Sequence, residues 1–160
     1  MFDIVLSRDQ YSLTVEPEYT NKLFQTVGTV ATRDASDLPT VLLVVYAAII
    51  QGDFEAMGNS MSEDVELNIC GFGPMDGNWR GRKAVVEATR KNFAFVDSQR
   101  PEIESVICQG DCAAVLLRES GVLKPTGQAY SIRAVQWFTF ADGKIRKIDE
   151  IAGSIWKLET

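Results

Sequence analysis

At 160 residues, with 46% apolar and 24% charged residues, the chain suits one domain built on one core. Its formal charge of -6, with Lys and Arg scattered rather than striped, leaves no basic field for nucleic acid or an anionic membrane surface. The chain contains no His, which excludes Ser-His and Cys-His nucleophiles and His-ligated metals, so any proton transfer must use carboxylates, Tyr, Lys or a thiol.

Residues 1–37 differ from the rest and are expected to be an N-terminal extension, a packed strap or a dimer arm. Phe2 to Leu6 and Tyr11 to Val15 are short β-like runs, whereas Tyr19, Leu23, Phe24 and Val27 recur at helical spacing. The opening residues carry an early acid and no basic region ahead of a long apolar run, unlike a secretory signal. The longest apolar stretch, Val41 to Ile50, is about half of what a membrane span needs. A cytoplasmic location is expected.

Residues 38–160 form the predicted domain. Asp37-Leu38-Pro39-Thr40 is a helix start, with a capping acid and a Pro in the first turn. The β-branched run that follows suits a strand on propensity, but the cap and the break at Gln51-Gly52-Asp53-Phe54 predict a buried helix. Asp53 can cap a short second helix through Met57 to Met61. Val65 to Cys70 reads as a strand, and Gly71 to Gly77 as a loop. Trp79-Arg80-Gly81-Arg82 leads into a third helix that places Val85, Ala88, Phe93 and Val96 on one face. Beyond Pro101, four strands are expected over Glu102 to Gln109, Cys112 to Leu123, Gln128 to Ala141 and Lys144 to Ala152, joined by turn signals such as Asp142-Gly143. Ile145, Ile148 and Ile151 recur every three residues, which alone favours a helix, but the tight hairpin requires a strand.

Cys70, Cys108 and Cys112 are odd in number and make no disulfide framework; they are expected to be buried and reduced. Gly71-Phe72-Gly73-Pro74 lacks the strand-to-helix setting of a dinucleotide site, and no cofactor is expected.

Three local patterns carry a resemblance: Tyr46 to Ala56 at the end of the first helix, Trp79 to Arg82 before the third, and Phe138 to Ile145 in the final hairpin. Over about residues 38 to 156 the chain resembles the SnoaL-like polyketide cyclases, ketosteroid isomerases and limonene epoxide hydrolases of the nuclear transport factor 2-like superfamily. The resemblance implies an α+β fold in which a cone-shaped, curved antiparallel sheet wraps around about three helices and encloses a pocket. It also implies pairing of two subunits through the convex face. On that basis Tyr130, Ile132, Phe138 and Phe140 are expected outside, in a homodimer interface, and Arg133, Val135 and Trp137 inside.

Matched by the same resemblance, the isomerases' oxyanion-hole Asp falls on Arg133 and their catalytic base on Ile69, which disfavours ketosteroid isomerisation. Tyr46 lies one residue from the isomerases' helical Tyr. The epoxide hydrolases' two acids fall on Glu150 and Glu119, but their Arg matches Leu117, and their water-positioning Tyr and Asn match Leu67 and Ile69. The expected catalytic set is Glu150 and Arg133, paired inside the cone, with Glu119 as a third member. Tyr46, Leu67, Ile69, Val135, Trp137, Ile148 and Ala152 are expected to contact a small apolar or weakly anionic ligand, with Val65 also on the wall. Glu66, Asn68, Lys147 and Asp149 are expected outside, and Trp79 and Trp156 as packing anchors. The expected activity is acid/base chemistry on a small hydrophobic molecule, as a hydrolase, cyclase or isomerase; a noncatalytic binding or dimeric interaction module is the alternative.

Overall fold

The structure is a computed structural model that describes residues 38–153. The expected extension over residues 1–37, the capping Asp37 and Trp156 lie outside the described residues. Helix α1 (Leu38–Gln51) forms despite its five Val and Ile residues because Leu38, Leu42, Val45 and Tyr46 make one stripe buried to 5% exposure or less. Tertiary burial outweighs the modest helix penalty of β-branched residues. Asp53 caps the short α2 (Phe54–Asn59), its Oδ1 accepting from the Ala56 N–H at 3.0 Å.

Strand β1 (Met61–Cys70) starts earlier than the sequence suggests. At Gly71 the backbone takes φ +94°, and a Cβ there would lie 2.4 Å from the Ala152 carbonyl oxygen. Glycine lets the chain leave β1 against the end of the last strand. A 3-10 turn (Gly73–Met75) then leads to a short strand not anticipated from sequence, β2 (Gly77–Arg80), and to α3 (Arg82–Phe95). Four long strands complete the chain: β3 (Val96–Gln109), β4 (Cys112–Leu123), β5 (Gln128–Ala141) and β6 (Lys144–Ala152). Only β3 departs from its expected bounds, by starting at Val96 where helix was expected.

The six strands form one sheet in the order β2-β1-β6-β5-β4-β3. It is mixed rather than wholly antiparallel, because β1 runs parallel to β6. The three helices pack against one face, and Met57, Val65, Val85, Val115, Ile132, Phe138 and Ile145 are buried between the layers.

Which face of β5 looks inward is the main correction to the sequence reading. A two-residue turn at Asp142-Gly143, with φ of 53° and 70°, pairs Ala141 with Lys144 and Phe140 with Ile145. The next pair is Thr139 with Lys147, so Arg146 is an extra residue in β6. This bulge shifts the register by one, so that beyond it Ile148 and Glu150 share a face with Phe138 and Gln136 rather than with Trp137 and Val135. Tyr130, Ile132, Phe138 and Phe140 are therefore core residues at 4% exposure or less, not an outer dimer row. The three-residue spacing of Ile145 and Ile148 has the same cause: across the bulge, both are buried. Among the described residues no helix is long and apolar enough to cross a membrane.

Candidate functional site

Between the helices and the inward face of the sheet lies a cavity of about 120 Å3. Its apolar wall comes from Val45 and Ile49 of α1, Met57 of α2, Phe93 of α3, Leu67 and Ile69 of β1, Phe72 and Met75 of the turn, and Leu117, Phe138 and Ile148 of the later strands. Pairing of β5 with β6 sets Gln136 opposite Glu150, and pairing of β1 with β6 sets Ile69 beside Glu150. A carboxyl group thus projects into a predominantly hydrocarbon wall, and the nearest side-chain donor is an amide.

The polar groups form two short chains. In the first, the Tyr46 hydroxyl donates to Gln136 Oε1, and Gln136 Nε2 donates to Glu150 Oε2 at 2.9 Å. The Tyr46 ring is set edge-on against Phe138, with centroids 6.4 Å apart. Burial pushes Glu150 up to about 7; the Gln136 hydrogen bond partly offsets this and the Glu119 charge adds to it. Burial and the two carboxylates together hold the Tyr46 phenol well above its ordinary value, so it stays protonated and keeps donating.

In the second chain the Tyr130 hydroxyl donates to Glu119 Oε1 at 2.6 Å. Glu119 is 8% exposed, and burial raises its pKa although hydrogen bonds from Tyr130 and Gln99 pull the other way. Gln99 also lines the cavity, and its Oε1 is buried without a hydrogen-bond partner.

Of the residues expected at the site, Glu150, Glu119, Tyr46, Leu67, Ile69 and Ile148 all line this one cavity. Arg133 does not. Its guanidinium lies on the opposite face and holds Glu104, with Nε 3.1 Å from Oε2, beside Arg118, which bonds the other Glu104 oxygen. The expected Arg133–Glu150 pair is absent because the β6 bulge places Gln136, not Arg133, on the inward row beside Glu150. Val135 and Trp137, expected in the pocket, are on the outer face at 41% and 46% exposure for the same reason. Ala152 packs against the core and Val65 is fully buried within it, and neither is on the cavity wall. Glu66, Asn68, Lys147 and Asp149 lie outside as expected, with Asn68 Nδ2 donating to Asp149 at 2.6 Å and Lys147 2.7 Å from the same carboxylate. Trp79 packs against the core as expected. The three cysteines are free, but Cys70 is exposed and the other two are half-buried, each at or next to the end of its strand.

Gln136 and Gln99 were not anticipated. A signal for Gln136 was present: it is the one strongly polar residue in the alternating row from Tyr130 to Phe140, and it is inward once the Ile145–Ile148 spacing is taken as a bulge. Gln99 sits one residue after Ser98, whose φ of 54° lies outside any regular strand pattern.

The family model described as a SnoaL-like domain matches residues 44–148, about two thirds of the chain. The chain belongs to the SnoaL-like domain family. Among solved structures, this SnoaL-like domain is similar to an NTF2-like protein from Burkholderia xenovorans LB400, with 22% identity, TM-score 0.63, and coverage of 72% of this chain and 88% of that one. It is similar to TerC co-crystallised with polyporic acid, with 23% identity, TM-score 0.65, and coverage of 74% and 92%. It is also similar to an LEH-like epoxide hydrolase from M. tuberculosis, with 15% identity, TM-score 0.59, and coverage of 71% and 80%. At these identities the likeness establishes the nuclear transport factor 2-like fold. No curated protein matches the chain.

Proposed function

We propose that this SnoaL-like domain catalyses proton transfer on a small, largely apolar molecule, with Glu150 as the general acid/base. The observation that supports it most is that two carboxyl groups, Glu119 and Glu150, face one hydrocarbon cavity from different strands, and that Glu150 titrates near neutrality. Glu150 has one oxygen held by Gln136 and lone-pair capacity left for a substrate proton. Glu119, tied to Tyr130, supplies the second acid. Among the related chemistries, isomerisation or cyclisation fits better than epoxide hydrolysis. The positions that resemble the hydrolases' Arg and water-holding groups are Leu117, Leu67 and Ile69, all apolar and all on the cavity wall. The co-crystallised polyporic acid in TerC accords with a small organic ligand in this fold.

The test is exchange of carbon-bound hydrogen for deuterium in a panel of small enolisable ketones and polyketide-like diketones, followed by NMR. Exchange is expected to depend on a group near pH 7 and to fall by about 100-fold or more in Glu150→Gln. Equal exchange rates in the parent and the variant would rule the catalytic assignment out. A noncatalytic binding domain is the second reading, favoured by the same three apolar positions.

For the assembly we propose a homodimer, with a different interface from the one first expected. Ile107, Val135, Trp137 and Ile151 are exposed on the outer face, and strand pairing makes them neighbours: Val135 is opposite Ile151, and Ala114 links Ile107 to Trp137. A patch of this kind is usually covered. Light scattering at micromolar concentration is expected to give a dimer that Trp137→Glu converts to monomer, and a monomeric parent would contradict this. A cytoplasmic setting is proposed on the three free thiols, which suit a reducing compartment.

A further inference from the structure

The hydrogen-bond polarity of the cavity wall restricts what can occupy it. Most of its side-chain donors are already committed: Tyr46 to Gln136, Gln136 to Glu150, Gln99 to Glu119, and the Thr89 hydroxyl to the Val85 carbonyl at 3.0 Å. Asn92 remains, with donor and acceptor alike. Acceptor capacity, by contrast, is in excess. Each ionised carboxylate offers about four lone-pair positions and accepts only one or two bonds here. The lining residues include no Lys or Arg. Arg133, expected to balance the acids, is instead paired with Glu104 across the sheet, as is Arg118.

We propose that the cavity selects ligands that bring hydrogen-bond donors to it, a compact protonated amine with a hydrocarbon or aromatic body above all, and that it rejects carboxylates. The inference rests on the cavity being the ligand site. An ammonium group supplies up to three donors and the missing positive charge, and the walls from Tyr46, Phe93 and Phe138 suit a cation as well as its hydrocarbon body. A free carboxylate would meet two acids and little that can donate. The earlier expectation of a weakly anionic ligand depended on Arg133 being inside. The cavity of about 120 Å3 is somewhat smaller than the ~150 Å3 that accommodates benzene, which sets a single small ring as the upper limit.

Charge selection also carries a pH signature. The titratable groups on the wall are Tyr46 from α1, Glu119 from β4 and Glu150 from β6; α2, α3, β1, the 3-10 turn, β3 and β5 contribute none. A cation binds the ionised form of Glu150, so amine affinity rises as pH rises through about 7, and the affinity of a carboxylate falls.

Three probes of one shape distinguish the possibilities: benzylamine, benzyl alcohol and benzoate, titrated calorimetrically into the full chain from pH 5.5 to 8. At pH 8 benzylamine is expected to bind at least about tenfold more tightly than benzoate, and its affinity to rise about tenfold across the range. Glu150→Gln is expected to remove that rise and bring benzylamine within about threefold of benzyl alcohol, with Glu119→Gln as a second variant should the first not fold. Benzoate binding as tightly as benzylamine, or an amine preference that survives in both variants, overturns the inference. Binding of benzyl alcohol without benzylamine overturns it while leaving the cavity as the functional site. Binding of none of the three overturns both.

Discussion

The two faces of β5 carry opposite chemistry on alternate residues of one strand. Inward are Tyr130, Ile132, Ala134, Gln136, Phe138 and Phe140, five of them buried to 4% exposure or less. Outward are Arg133, paired with Glu104, and Val135 and Trp137, which are exposed. With Glu119 of β4 and Glu150 of β6 beside the inward row, the inner face of the sheet holds acids without cations, and the outer face holds cations paired with acids. A single extra residue in β6 decides which set meets the cavity. The contrast shows that charge complementarity is a poor guide to facing in a bulged sheet. Arg133 and Glu150 look like natural partners in sequence, yet backbone register keeps them apart.

The largest expected effect that would sharpen this contrast is steric. Phe138→Ala should destabilise the protein by about 3–5 kcal/mol, because the ring is 2% exposed, whereas Trp137→Ala next to it should cost about 1 kcal/mol or less in the monomer. Equal losses in chemical denaturation would break the inside/outside assignment. Next comes the acid on the inner face. Glu150 binds its proton more tightly folded than unfolded, so its stabilising contribution is complete below the unfolded value near 4.5 and is lost as pH rises through about 7. Between those limits the parent should lose about 3 kcal/mol relative to Glu150→Gln. Parallel stability curves for the two proteins would contradict this. Gln136→Leu removes the hydrogen bond that favours ionised Glu150, so the neutral limb of any pH–rate profile should move to higher pH; a shift to lower pH would count against the chain from Tyr46 through Gln136. The smallest effect belongs outside: Arg133→Ala should leave stability within about 1 kcal/mol and leave turnover unchanged, as for other exposed ion pairs.

Much of the fold was legible because local signals agreed with it. The caps and breaks around Leu38–Gln51 identified a helix inside a β-branched run, and the turn residues bounded β4, β5 and β6 as observed. The short β2 was not legible, since four residues ending in Trp79-Arg80 acquire strand geometry only by pairing with β1. The parallel pairing of β1 with β6 is likewise a long-range fact with no local mark. On the cavity wall, the presence of Glu119, Glu150, Tyr46, Leu67, Ile69 and Ile148 was legible through resemblance and alternation. Gln136 was missed and Arg133 misplaced by one cause, the bulge at Arg146. Bulges arise from pairing between strands, but this one left a trace in the spacing of Ile145 and Ile148.

The central claim is that Glu150 is a buried acid/base poised near neutrality in a cavity without cations. Its side-chain carboxyl carbon, followed by 13C NMR from pH 4 to 9 in the intact protein and assigned with Glu150→Gln, measures this directly. The expected midpoint is about 7, and it should fall when Glu119 is replaced by Gln, because a neighbouring negative charge is removed. A midpoint at the ordinary glutamate value of about 4.3, unmoved by Glu119→Gln, would contradict the account.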